Sequence, residues 1–354
     1  MGNPELKKMM KTVLYETHCA LGAKMTDFSG WEMPLQYQSA INEHHIVRDK
    51  VGVFDVSHMG RILVSGPDAE VFLESLSTNT IKGKKNFTAT YTVLTNHQGG
   101  SVDDTIIYRY HSEYFFLVTN AANRNKDLMH LLHESKNYQV KIQDHFAEDA
   151  ILAVQGPKAN DVLFSLFPEL DALKPMQFLE VSYKGSTFPV ASTGYTGAGG
   201  FELYPPNSLS VSLWEALMDL EVAPIGLAAR DTLRLEKGFA LYGHELDDSI
   251  APNESISKWT VKDHSFLGRD AMVVPAKRFQ YGVLMEGRHI PRKDCRVMKG
   301  QEEIGVVTSG GFGPSIEKGI AIVMLNEELA IGEDLEVEIR GKLCSAKLTK
   351  LPFV

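Results

Sequence analysis

Two adjacent carboxylates, Asp103 and Asp104, close the segment GGSVDD (Gly99 to Asp104) and precede the β-branched run TIIYRY. Neighbouring strand residues point to opposite faces, so once the strand has begun only one of the pair can enter a given pocket and the other turns to solvent. A carboxylate in a dry pocket can take a proton or stabilise a developing cation. Gly and Asp are also ordinary turn residues, and spacing alone favours a turn for this pair. Glu202 lies in the apolar stretch FELY after GYTGAGG, with Phe201 and Leu203 on the opposite strand face. It can face a pocket or pair with a surface arginine, and residue type favours the surface. Arg230 and Arg234, four residues apart in GLAARDTLRLEKGFALYG, share a helix face and supply such partners, while Asp231 supports the helix start. Leu233, Leu235 and Phe239 read as core.

Other chemistries find no support. The glycines of GYTGAGGFELY (Gly194 to Tyr204) are wrongly spaced for a dinucleotide fingerprint, and TSGGFGPSIEKG lacks the Gly-Lys-Ser/Thr ending of a phosphate loop. TSGGFG reads instead as a turn. His44 beside His45, and His130 with His133 at helical spacing, have no acidic third ligand at zinc-site distance, which predicts no metal. There is no GxSxG elbow, and Cys19, Cys295 and Cys344 form no CxxC pair, as expected in a reducing compartment.

The elements that must position these groups follow from periodicity. Ser39 to Lys50 reads as an amphipathic helix ended by Gly52, and Leu128 to Glu134 and Leu213 to Leu220 read as further helices. Strands are predicted within Val53 to Val64, Thr88 to Leu94 and Ile106 to Tyr110. Short strands and helices alternate without a βαβ rhythm, which predicts an α+β fold with antiparallel sheets. Past Pro275 to Arg278, the segments YGVLMEG, EEIGVVTSGGFG and EDLEVEIRG read as strands, so the chain is expected to divide into residues 1–275 and a β-rich domain at 276–354.

A chain of 354 residues with 44% hydrophobic and 23% charged residues has the make-up of a multi-module globular protein. Its formal charge of −9 argues against general nucleic-acid binding, which depends on Lys and Arg neutralising phosphates. The start, MGNPELKKMMKTVLYETH, lacks both a signal-peptide apolar core and the Arg and Ser bias of a transit peptide, and no apolar run reaches the roughly 20 residues of a membrane span. A cytoplasmic location without membrane association is the expectation.

In order along the chain stand LYETHCALGAKMTDFSGWEMPLQY, VGVFDVSHMG, TNHQGGSVDD, VTNAAN, AVQGP, GYTG with GFE, GLAARDTLRLEKGFALYG, IGVVTSGGFGPS with KGIAI, and LPFV. Together they resemble the glycine-cleavage T-protein family of folate-dependent aminomethyltransferases. The resemblance implies a three-lobed, cloverleaf-like fold around a channel for tetrahydrofolate, with the first two lobes interleaved along the chain and a C-terminal β-rich barrel. It implies transfer of the one-carbon unit from an aminomethyl group on the dihydrolipoyl arm of the H-protein to tetrahydrofolate, with ammonia and methylenetetrahydrofolate as products. By motif, Asp104 matches the family's catalytic aspartate, Glu202 its pterin-binding glutamate and Arg230 its folate-binding arginine, while Tyr91, Asn120 and Tyr195 match further folate contacts. Ala198 and Gly199 stand where the family usually has two acidic residues, and APNESISKW (Ala251 to Trp259) is a loose version of a family segment. Competing readings are a folate-dependent demethylase of the same superfamily, or a non-enzymatic folate-binding protein. The KGCYxGQ-like segment of the latter is replaced here by EKGFALYG.

Overall fold

The computed structural model describes residues 9–146 and 148–354. Residues 1–8, which begin the segment inspected for a leader, lie outside the described residues.

After a small three-stranded sheet made by Met10–Lys11, Lys24–Phe28 and Trp31–Gln36, the chain builds two larger sheets by moving between them. The strands are β1 (Gly52–Asp55), β2 (Gly60–Ser65), β3 (Thr88–Thr95), β4 (Ser101–His111), β5 (Tyr114–Thr119), β6 (Lys141–Asp144), β7 (Leu152–Gln155), β8 (Phe178–Tyr183), β9 (Ser186–Ala191), β10 (Gly200–Leu203) and β11 (Ala223–Pro224). β1 starts a six-stranded sheet of order β8-β9-β10-β7-β1-β11. The chain then leaves to make the five-stranded sheet β3-β4-β5-β2-β6 before returning to finish the first. Neither sheet can therefore be cut from the sequence as one continuous piece.

Four helices matter for the site: α1 (Ala40–Asp49), α2 (Arg124–Glu134), α3 (Asn207–Asp219) and α4 (Leu227–Lys237). The Ser39 hydroxyl accepts from the Asn42 amide at 3.2 Å and caps α1, supplying a partner that the first turn lacks. α2 begins earlier than the Leu128 expected from periodicity. Its N-cap, Asn123, makes no side-chain cap, and its amide nitrogen donates to Asp103 instead. α4 ends at Gly238, whose φ of 68° gives the left-handed cap that glycine tolerates best. No helix among the described residues is long and apolar enough to cross a membrane.

A continuous apolar layer joins the facing sides of the two sheets. It contains Tyr108 and Phe116 from the five-stranded sheet, Ala153, Phe178 and Ala191 from the six-stranded sheet, and Leu233 from α4. The other face of the five-stranded sheet packs separately, with Ile62, Ile107 and Leu117 against Phe72 and Leu131. This division decides what each residue of β4 meets.

The remaining strands, β12 (Phe279–Met285), β13 (Arg296–Lys299), β14 (Glu302–Gly313), β15 (Lys318–Leu325), β16 (Asp334–Ile339) and β17 (Lys342–Thr349), close into a barrel of order β12-β15-β14-β13-β16-β17. Ala321, Val323 and Leu325 fill the interior, while Ile320 and Ile322 on the outer face meet Leu235 of α4. β15 is consequently buried on both faces and loses the usual alternation. TSGGFG is not a turn: it forms the second half of β14. Its glycines serve close approach, since a Cβ at Gly310 would come within 2.8 Å of the Pro291 carbonyl oxygen.

Candidate active site

β4 is already a strand at Ser101, so Asp103 and Asp104 are strand residues and not turn residues. Asp104 pairs in register with Val93, and Tyr91 sits opposite Ile106. Directly opposed residues share a face, which places Asp104 and Tyr91 on the side that looks toward the six-stranded sheet. The Tyr91 hydroxyl donates to Asp104 Oδ2 at 3.0 Å, and Asn120 Nδ2 donates to Oδ1 at 2.9 Å. Ser257 lies 3.1 Å from the same tyrosine hydroxyl, and the Trp259 ring stacks on Tyr91 at 5.6 Å. Trp259 is largely exposed, so Tyr91 spans the distance from solvent-facing indole to the part-buried Asp104 carboxyl.

Asp103 turns to the other face as alternation requires, but it does not reach solvent. It is fully buried, because α2 covers that side of the sheet. Asn120 N and Nδ2 each donate to it at 2.9 Å, and Asn123 Nδ2 donates at 2.6 Å. The two carboxyls are thus joined by Asn120, whose single amide nitrogen touches both. Burial raises the Asp104 pKa to about 7, with the charge of Asp103 adding to the effect and the Tyr91 and Asn120 hydrogen bonds opposing it. The carboxyl is consequently poised to change protonation near neutrality.

Glu202 occupies the facing sheet, in register with Ala153 and Ala191. It is buried, in contrast to the surface position favoured by residue type. Thr193 donates to Glu202 Oε2 at 2.6 Å and Tyr108 reaches the same oxygen at 3.5 Å. Tyr108 is itself held by Tyr204, with 2.7 Å between hydroxyls.

Arg230 projects from the first turns of α4, and its guanidinium lies 4.7 Å from the centroid of the Tyr195 ring. Burial pulls its pKa below the usual guanidinium range, while Glu202 and Tyr195 oppose that fall. Its Nη1 is buried without a hydrogen-bond partner. A guanidinium donor enclosed in this way calls for an acceptor from outside the chain. Tyr195 donates its hydroxyl to the Ala240 carbonyl and stacks on Phe239. Arg234, one turn beyond Arg230, enters a different environment: it is buried against Glu245 at 3.3 Å and Ser309 at 3.0 Å. Neither arginine is the surface partner expected from spacing.

Asp104, Tyr91 and Asn120 therefore form one hydrogen-bonded group, and Glu202, Arg230 and Tyr195 a second electrostatically linked group. Tyr195 feels charges from both: burial raises its pKa, Arg234 and then Arg230 pull it down, and the Asp104 charge adds to the rise. Sequence reasoning did not identify Ser257, Trp259, Tyr108, Thr193 or Asn123 as partners. Only the i, i+3 spacing of Asn120 and Asn123 carried any local sign of a shared target. No group of three or more His, Cys, Asp or Glu side chains suited to a metal occurs among the described residues.

Known proteins resemble this chain over nearly its whole length. The GCVT N-terminal domain family matches residues 14–264, and the glycine cleavage T-protein C-terminal barrel domain matches residues 278–354. An aminomethyltransferase from Thermus thermophilus is 44% identical, covering 98% of this chain and 99% of that protein. One from Chlorobium luteolum is 42% identical, with the same coverage of 98% and 99%. The crystal structure of the glycine cleavage system aminomethyltransferase T from Bartonella henselae superposes with a TM-score of 0.91 at 32% identity, covering 98% of both chains. A continuous relationship across the interleaved sheets and the barrel leaves no part of the architecture outside it, and the chain belongs to the glycine-cleavage T-protein family of aminomethyltransferases.

Proposed function

We propose that the protein transfers the one-carbon unit of an aminomethyl group, carried on the dihydrolipoyl arm of a lipoylated H-protein, to tetrahydrofolate, releasing ammonia and forming 5,10-methylenetetrahydrofolate. Residues 1–275 form the folate-handling region in this reading and residues 276–354 the β-rich domain that supports it, in a cytoplasmic enzyme. The observation that carries the proposal is Asp104: a carboxyl on the inter-sheet face, held at both oxygens, with its pKa raised to about 7.

The remaining residues suit the substrates. Known hydrogen bonds to Glu202 go to Oε2, and a carboxylate has further acceptor capacity for the adjacent amino and ring NH groups of a pterin edge. Arg230, with Nη1 unpartnered, supplies a planar donor for a carbonyl or carboxylate of folate. Tyr195, Tyr91 and Asn120 complete the binding surface, the last two also fixing the Asp104 rotamer. Ionised Asp104 stabilises positive charge as the carbon–nitrogen bond to the departing amine breaks, because a fixed charge acts strongly where water is scarce. Its raised pKa also makes it a better proton acceptor than an ordinary carboxylate.

The decisive measurement is ammonia release from aminomethylated H-protein with and without tetrahydrofolate. Release that accelerates strongly with tetrahydrofolate and yields methylenetetrahydrofolate is expected. Equal release in its absence overturns folate as the acceptor.

A further inference from the structure

Behind Asp104, on the helix-covered side of the five-stranded sheet, lies a third carboxyl. Asp127 on α2 is fully buried, as is Asp103. Their surroundings differ sharply. Asp103 accepts three hydrogen bonds, from Asn120 N, Asn120 Nδ2 and Asn123 Nδ2, which is the environment of an ionised carboxylate. Neither oxygen of Asp127 is paired with a donor. A bare carboxylate in that position would carry a large desolvation cost, whereas a protonated carboxyl can turn its O–H toward an ionised neighbour.

We propose that Asp127 is held as a neutral acid that donates its proton to Asp103, and that this pair acts through Asn120 as the positioning element for Asp104. The proposal deepens the reading of Asp104 as the reacting carboxylate and rests on that reading for its kinetic consequence. Burial, and after it the charge of Asp103 and hydrogen bonding to it, raise the Asp127 pKa well above the usual carboxylate range, against the weaker opposing pull of Lys126 and the Thr119 hydroxyl. Three elements surround the pair. β4 contributes Asp104, and β5 contributes the Thr119 hydroxyl beside Asp127. α2 contributes Lys126, but its ammonium is engaged by the Tyr242 hydroxyl at 2.6 Å and Asp248 at 3.2 Å. Tyr242, from the segment after α4, is kept neutral by burial and by the nearby charges of Asp248, Asp103, Asp247 and Asp127, so it adds no charge beside the pair. His130, one helical turn further along α2, is kept toward its neutral form by burial. The proton therefore remains between Asp127 and Asp103, and the Asp103 charge stays fixed beneath the site.

Because the folded-state pKa of Asp127 is raised, the folded chain holds a proton that the unfolded chain releases above the ordinary carboxylate range. Its contribution is retained below the unfolded pKa near 3.8 and is lost as pH rises toward the folded value. The full-length protein, Asp127→Asn and Asp127→Leu should be unfolded with denaturant between about pH 5 and 7 and their slopes of stability against pH compared. Asp127→Asn is expected to take up one proton fewer on folding than the parent; identical slopes overturn the proposal. If Asp127→Leu does not fold, the Asp127→Asn slope still decides the protonation assignment.

The pH profile of aminomethyl transfer supplies the second readout. The Asn side chain still donates to Asp103, so its midpoint should stay closer to that of the parent. Leu cannot donate, leaving Asp103 to acquire its own proton and moving the Asp104-dependent midpoint down by about one unit. An unmoved midpoint in folded Asp127→Leu overturns the positioning role, even if stability is lost. The unfolding slopes make no use of folate or H-protein, so failure of the reaction assignment is distinguishable from failure of this proton assignment.

Discussion

Asp104 joins two properties that are usually separate, tight hydrogen bonding and a pKa raised to about 7 by burial and the adjacent Asp103 charge. Asp104→Asn should retain tetrahydrofolate affinity within a few-fold while turnover falls about 10²–10³-fold, the scale for loss of one preorganised electrostatic partner. Glu202→Ala should instead abolish most of the thermal shift caused by tetrahydrofolate, because that shift depends on binding to the native state. Since the ionised form of Asp104 is required, kcat/KM in the parent should rise with pH and level off above a midpoint about 7. These outcomes are checked by single-turnover kinetics, folate titration and a pH profile. Asp103→Asn is unsuitable as a neutral control, because Asp103 anchors Asn120 and Asn123. Alternation alone separated the faces of Asp103 and Asp104, but it could not reveal that a helix covers the face opposite the site. Tyr91 and Asn120 were legible through family motifs, whereas Ser257 meets Tyr91 across 166 residues of sequence and left no local sign.

At the scale of elements, the Gly99–Gly100 pair determines how β4 enters the sheet. A Cβ on Gly100 would come 1.8 Å from the Asp248 carbonyl oxygen, while the following Ser101 amide donates to both Asp247 and Ile250 carbonyls at 3.0 Å. Gly100→Ala should therefore displace the 247–250 loop or the start of β4 and cost about 1–3 kcal/mol, the scale of overpacking. Denaturant unfolding checks the stability loss, and a parallel loss of turnover without a matching loss of folate binding would place the displacement near Asp104. Strand periodicity located β3 and the second half of β4 but not its start at Ser101, and the apolar pattern located α1. TSGGFG misled because glycine signals both turns and close backbone approach, and the second cause applies in β14. Burial of β15 on both faces likewise comes from α4 outside the barrel, a partner remote in sequence.

Across the whole molecule, α4 connects the inter-sheet site to the barrel. Arg230 faces Tyr195, Arg234 binds Glu245 and Ser309, and the Glu236 side chain accepts from the Ser315 amide at 2.8 Å and hydroxyl at 2.7 Å. Glu245 also accepts from Thr308 of β14 at 2.5 Å. Glu245→Ala would leave buried Arg234 without this charge partner and should cost about 3–5 kcal/mol. All three tryptophans, Trp31, Trp214 and Trp259, precede the barrel, so fluorescence reports that region while far-ultraviolet circular dichroism reports both. The expected result is separation of the two unfolding curves in Glu245→Ala; coincident curves with unchanged midpoints would show that this network does not couple the regions. The helical phase of α4 also limits how the chain can change by inheritance. One inserted or deleted residue between Arg230 and Arg234 would turn everything beyond it by about 100°. A lineage can exchange side chains along this interval, but a change in its residue count would misalign either the arginine that faces Tyr195 or the barrel, making α4 a place where length is more tightly constrained than composition.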